Sequence, residues 1–132
     1  MVIYLDTSAI IAILDEDDKN HEQAATTWLK FISEGQELLC NNYIVVEATS
    51  LIQNRYGMET LRRFHDNHLP LISIEWMGEE IHEAVFNALL EANRRKLSFV
   101  DCSSFETMRR LGIETVFTFD EHFKERGFQV VP

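Results

Sequence analysis

Asp6, Glu47, Asp101 and Asp120 each lie in or against an apolar run rather than in a solvated charge run. Their contexts are Val2-Ile3-Tyr4-Leu5-Asp6, Ile44-Val45-Val46-Glu47-Ala48, Leu97-Ser98-Phe99-Val100-Asp101 and Val116-Phe117-Thr118-Phe119-Asp120. A carboxylate beside buried apolar residues is costly unless something pairs with it. No Lys or Arg is adjacent to any of the four. Hard oxygen donors suit Mg²⁺ or Mn²⁺, so the four acids are read together as a site for a divalent cation. A cation so held can activate water and offset the charge of a phosphate.

The elements that must position them follow from the apolar spacing. Residues 2–5 form a short apolar run, as a buried parallel strand requires, and Asp6 closes it. Helices are expected over 8–14 and 21–33, and a strand over 37–40. Asn41 or Asn42 can cap the next helix, which runs to about Tyr56 with Gly57 as its stop. Further helices are expected over 59–67, 79–95, 99–111 and 121–126, and strands over 70–74, 115–119 and 129–131. This alternation predicts an α/β domain with a mostly parallel sheet and helices on both faces.

Asp6 and Asp120 then stand at the C-terminal ends of strands, the edge where open α/β sheets bind ligands. Each acid also has a purely local reading. Asp6 and Asp120 can cap the helices that follow them, and Ser98-Phe99-Val100-Asp101 has the spacing of a capping box. Glu47, in the middle of a helix, can cap nothing. One cation site accounts for all four acids; the local readings need four separate accounts. Thr7, Ser8 and Thr118 neighbour two of the acids, where hydroxyls can orient a carboxylate.

The five histidines show no convincing ligand spacing, and His122, two positions after Asp120, is read with them as a surface or interface residue. Cys102 follows Asp101 but lacks a base with a recognisable role, which argues against nucleophilic catalysis. No glycine-rich phosphate loop is present.

The chain has 132 residues, the size of one domain, and at 45% hydrophobic it can build a core without staples. Two cysteines, Cys40 and Cys102, fit a reducing, cytoplasmic compartment better than a disulfide framework. Neither a signal peptide nor a membrane anchor is expected. The net charge of −10 argues against broad, charge-driven binding to nucleic acid. A basic island of Arg94, Arg95, Lys96, Arg109 and Arg110 is the candidate for contact with phosphates.

The ordered set of motifs resembles the PIN-domain ribonucleases, most closely the VapC-like toxins of toxin–antitoxin pairs. The matching stretches are Tyr4-Leu5-Asp6-Thr7-Ser8-Ala9, Glu47 in its helix, Leu97-Ser98-Phe99-Val100-Asp101-Cys102 and Thr118-Phe119-Asp120-Glu121-His122-Phe123, with Gly127-Phe128 before the last strand. The resemblance covers essentially the whole chain and implies one PIN domain over residues 1–132. It implies about five parallel strands and an acidic, catalytic pocket holding Mg²⁺ or Mn²⁺. Asp6, Glu47 and Asp101 match the family's core acids and Asp120 its more variable fourth, with Thr7 or Ser8 and Thr118 in support. It implies a metal-dependent endoribonuclease, dimeric and silenced by a small antitoxin. Two alternatives stand beside it. One is a PIN-like binding module without activity. The other is an aspartyl-phosphate phosphatase of the haloacid dehalogenase type, which wants a second Asp where Ser8 stands.

Overall fold

The computed structural model describes residues 1–132. Five parallel strands run β1 (Val2–Leu5), β2 (Glu37–Asn41), β3 (Ile72–Glu75), β4 (Thr115–Phe117) and β5 (Gln129–Val131), in the spatial order β3-β2-β1-β4-β5. Seven helices connect them: α1 (Thr7–Leu14), α2 (His21–Ser33), α3 (Asn42–Tyr56), α4 (Met58–Arg63), α5 (Glu79–Ala92), α6 (Phe99–Leu111) and α7 (His122–Glu125). The first strands build outward from β1 in one direction, and β4 and β5 in the other. Right-handed crossovers therefore place helices on opposite faces. The strand order reverses between β1 and β4, which opens a crevice beyond their C-terminal ends.

The core explains the apolar runs. Ile3, Tyr4 and Leu5 of β1 are fully buried, and so are Val116 and Phe117 of β4. Ile10 and Ile11 of α1 are buried too, with Ile13 and Leu14 packed against the core, so that helix spends its apolar surface inward. The Tyr4 hydroxyl, out of reach of water, donates to Ser104 Oγ at 3.0 Å. Its burial pushes its pKa far above the ordinary tyrosine value.

The differences from the expected boundaries have local causes. The helix predicted over 79–95 ends at Ala92 because Asn93 takes a left-handed conformation (φ 50°). The strand predicted over 115–119 stops at Phe117, where the Phe119 N–H turns to Ser8 Oγ instead of a strand partner. The helix predicted over 59–67 is regular only to Arg63 and widens into a looser turn over Phe64–His68. That turn buries Phe64 and sets His68 against Trp28 at 5.5 Å. The strand predicted from Pro70 begins at Ile72, since proline has no N–H for the ladder.

Asn41 is the polar hub that fixes α3. Its Oδ1 accepts from Ile44 N at 2.9 Å and caps the helix, while its Nδ2 donates to Ser103 Oγ and Thr107 Oγ1 of α6, both at 3.1 Å. The side chain is fully buried. Asn41→Ala removes the cap and both amide bonds to α6, leaving the Ser103 and Thr107 hydroxyls only their own helix carbonyls, and should cost about 2–4 kcal/mol. Urea unfolding checks this: the midpoint should fall with the slope unchanged, and a shift under about 1 kcal/mol would contradict the hub role.

Candidate active site

Asp6 leaves β1 into the crevice, with its N–H bonded to Phe117 O at 3.1 Å across to β4. Its Oδ2 accepts from Ser8 Oγ at 2.7 Å, Thr118 Oγ1 at 2.8 Å and Ser8 N at 3.4 Å. Asp6 therefore caps α1 and faces the cleft at once. Ser8 and Thr118 also lie 3.1 Å apart, and Thr118 Oγ1 accepts from Asp120 N at 3.0 Å. A hydroxyl pair thus ties the ends of β1 and β4 together and sets both acids. Thr7, whose hydroxyl closes no hydrogen bond, is buried beside them.

Asp101 sits in the first turn of α6 as the capping box requires: Ser98 N donates to its Oδ2 at 3.2 Å and Ser98 Oγ accepts from its N–H at 3.0 Å. Asp120 Oδ1 accepts from His122 N at 2.9 Å. Each of the three aspartates thus has one oxygen engaged by the chain and the other without a protein donor. Glu47, half-buried on α3, accepts no hydrogen bond at all; the Thr7 hydroxyl lies close enough to favour its charge without closing one. The capping readings of Asp6 and Asp101 both hold, and neither uses up the carboxylate.

One cleft of about 310 Å³ brings all four acids together with Thr7 and Ser8. None of the four is in an ion pair with Lys or Arg; the chain's two such pairs are Arg94–Glu125 and Arg110–Glu106. Burial, and then the charges of Asp101 and Asp120, push Asp6 above the usual carboxylate range. Burial does the same to Glu47, with Asp6 and Asp120 adding to it, and to Asp101, with Asp120 adding to it. Four carboxylates with free oxygens and no Lys or Arg in an ion pair with any of them form a donor set that fits a divalent ion.

The tightest grouping includes a residue that the sequence reading set aside. Ligand atoms of Asp101, Asp120 and His122 all lie within 4.8 Å of one another. His122 begins the short α7 directly after Asp120, and its Nδ1 lies 3.5 Å from Glu125 Oε2. Its two-residue offset from Asp120 was the one available signal, and only the turn at 120–122 gives it meaning. Asp18, Asn20 and Arg55 also line the cleft. Arg55 follows Glu47 by eight positions, two turns along the same face of α3, which is the spacing that could have found it. The expected RNA-contact residues do not line the cleft. Arg94 and Arg110 are tied to glutamates, Arg95 and Lys96 are exposed beyond α5, and Arg109 lies at the far end of α6.

No helix is long and apolar enough to cross a membrane. The PIN domain family model matches residues 3–129. The chain is 27% identical over 128 residues to the 23S rRNA-specific endonuclease VapC20 of Mycobacterium tuberculosis, covering 96% of this chain and 95% of that protein. It is 20% identical over 127 residues to the VapC ribonuclease of Aquifex aeolicus, covering 96% and 93%. The crystal structure of the M. tuberculosis VapC20, a sarcin-ricin loop cleaving toxin, superposes with a TM-score of 0.84 at 28% identity, covering 96% and 95%. FitAcB of Neisseria gonorrhoeae shares the fold, with a TM-score of 0.71 at 18% identity, covering 100% and 97%. A parallel five-stranded sheet with its acids at the β1–β4 reversal and a family match over nearly every residue lead to one assignment: the chain belongs to the PIN domain family and is homologous to the VapC toxin ribonucleases.

Proposed function

We propose that this protein is a Mg²⁺- or Mn²⁺-dependent endoribonuclease, the toxin of a toxin–antitoxin pair, cutting RNA at the Asp6–Glu47–Asp101–Asp120 cleft. The observation that carries this reading is the donor set itself: four converging carboxylates with unused oxygens and no Lys or Arg in an ion pair with any of them. Asp6, Glu47, Asp101 and Asp120 would hold the cation, with His122 within reach of the last two. A divalent cation held there acidifies water and offsets phosphate charge.

The chain's own contribution is orientation and a raised local negative charge. Ser8 and Thr118 hold Asp6 by one oxygen and so aim the other into the cleft. Ser98 does the same for Asp101 and the His122 amide for Asp120. Arg55, the one basic residue lining the cleft, would hold an RNA phosphate beside the one being cut. The rRNA target named for VapC20 makes structured ribosomal RNA the substrate class to try first. A dimer and a bound antitoxin fit the exposed apolar surface: Val46 on α3 and Phe86 and Leu90 on α5 all stand open. Phe86 packs on Phe99, and Phe99 on Tyr43, which links the two helices' exposed faces.

Purified protein incubated with end-labelled ribosomal RNA should cut in Mg²⁺ or Mn²⁺ and not in excess EDTA. Asp101→Asn keeps the cap geometry and removes the charge, and should lose cleavage by at least about a hundredfold while staying folded. Cleavage by that variant at the parent's rate would remove Asp101 from the site. Arg55→Ala should raise KM for RNA about tenfold, the loss of one charge-assisted phosphate contact, with kcat within about twofold. A change confined to kcat would contradict the phosphate-holding role.

The raised carboxyls fix a pH dependence. A carboxyl whose pKa is higher in the fold than in the unfolded chain imposes no penalty below the unfolded value, where both states are protonated. The penalty grows as pH rises through the interval between the two values and is complete above the folded one. Asp101→Asn should therefore raise the melting temperature of the metal-free protein at pH 7, by about 3 °C, with the gain vanishing near pH 4. Mg²⁺ should stabilise the parent more than the variant, and less so at low pH, because protons compete for the same oxygens. A variant that melts below the parent at pH 7 would refute the assignment of mutual repulsion.

A further inference from the structure

A second concavity, of about 330 Å³, opens at the opposite end of the sheet from the carboxylate cleft, where α6 ends, β4 begins and α7 hands over to β5. Arg109 and Arg126 line it. The Arg109 guanidinium lies over the Phe128 ring at 5.9 Å, and that of Arg126 over the buried Phe105 ring at 5.0 Å.

Neither arginine has a carboxylate partner. The Lys and Arg ion pairs of the chain are Arg94–Glu125 and Arg110–Glu106, and Glu114, which borders the concavity, pairs with neither Arg109 nor Arg126. With 22 acidic residues against 12 basic, most arginines could find an acid. Two brought together without one repel each other. Aromatic contact offsets part of that cost and limits the motion of the side chains, Arg126 being half-buried. The result is a pair of pre-set guanidinium forks, whose geometry matches phosphate oxygens. The Gln129 side chain on the same wall adds a neutral hydrogen-bonding group.

We propose that Arg109 and Arg126 form a second phosphate-binding site, remote from the cleft, that takes neighbouring backbone phosphates of RNA. The proposal rests on the reading of RNA as the substrate and adds where the body of that RNA is held. It also accounts for how a chain of net charge −10 binds a polyanion: contact is confined to a small, unneutralised patch instead of spread over the surface. RNA that reaches from the cleft to this patch must pass round the α6–α7 side of the domain, so the site serves folded RNA and not a short oligonucleotide.

The test is binding, kept apart from cleavage. A fluorescent ribosomal RNA fragment is titrated with the full chain in EDTA at several KCl concentrations, and fluorescence anisotropy gives the affinity. The parent is compared with Arg109→Gln/Arg126→Gln and with Arg126→Lys, each checked for folding by circular dichroism. The double substitution should weaken binding at least about tenfold at 0.1 M salt and lower the slope of log affinity on log salt by about 1.5. Arg126→Lys, which keeps the charge, should leave the slope near the parent's. A folded double variant with the parent's affinity and slope overturns this site alone. A parent that binds no RNA overturns both this site and the RNA reading. Inorganic phosphate or AMP binding at Arg109 and Arg126, with RNA affinity unmoved by the double substitution, makes the site one for free phosphates and overturns the RNA assignment.

Discussion

Uncompensated negative charge at the reversal between β1 and β4 is the constraint around which the domain is arranged. Asp6 is buried and Glu47 and Asp101 are half-buried, yet no lysine or arginine pairs with any of them. Folding must meet that cost, because the acids repel one another and have lost water. The scaffold contributes hydrogen bonds to one oxygen of each aspartate, from Ser8, Thr118, Ser98 and the His122 amide. These donors fix direction without neutralising charge. The remaining oxygens face a common space, which is the property a cation-dependent hydrolase needs.

The same economy appears in the secondary structure. Asp6 and Asp101 are helix caps and cleft residues together. A helix N-terminus favours a carboxylate through its unpaired N–H groups and its dipole. Placing two site acids there partly offsets their burial. Glu47 has no such support, and it reaches the cleft only because Asn41 fixes the start of α3 against α6. A buried amide one strand away is thereby part of the geometry of the site.

The charge pattern also reads differently in three dimensions. The basic island in the sequence is not one surface. Arg94 reaches Glu125, Arg110 reaches Glu106, and Arg109 is carried down α6 to line one concavity with Arg126. Arg55, isolated in sequence, becomes the cation of the cleft.

Sequence alone determined the fold class, because short apolar runs alternating with amphipathic segments leave few arrangements other than a parallel sheet covered by helices. It also singled out Asp6, Glu47, Asp101 and Asp120, since a carboxylate inside an apolar run is anomalous wherever it ends up. Element ends were less legible: α5 stops at Asn93 and β4 at Phe117 because of a single backbone conformation and a single side-chain bond. His122 and Arg55 carried only a spacing signal, and Arg109 stood in the basic island without any sign of its partner Arg126. Their surroundings come from segments far apart in the chain, and only packing decides which charges are left without a partner.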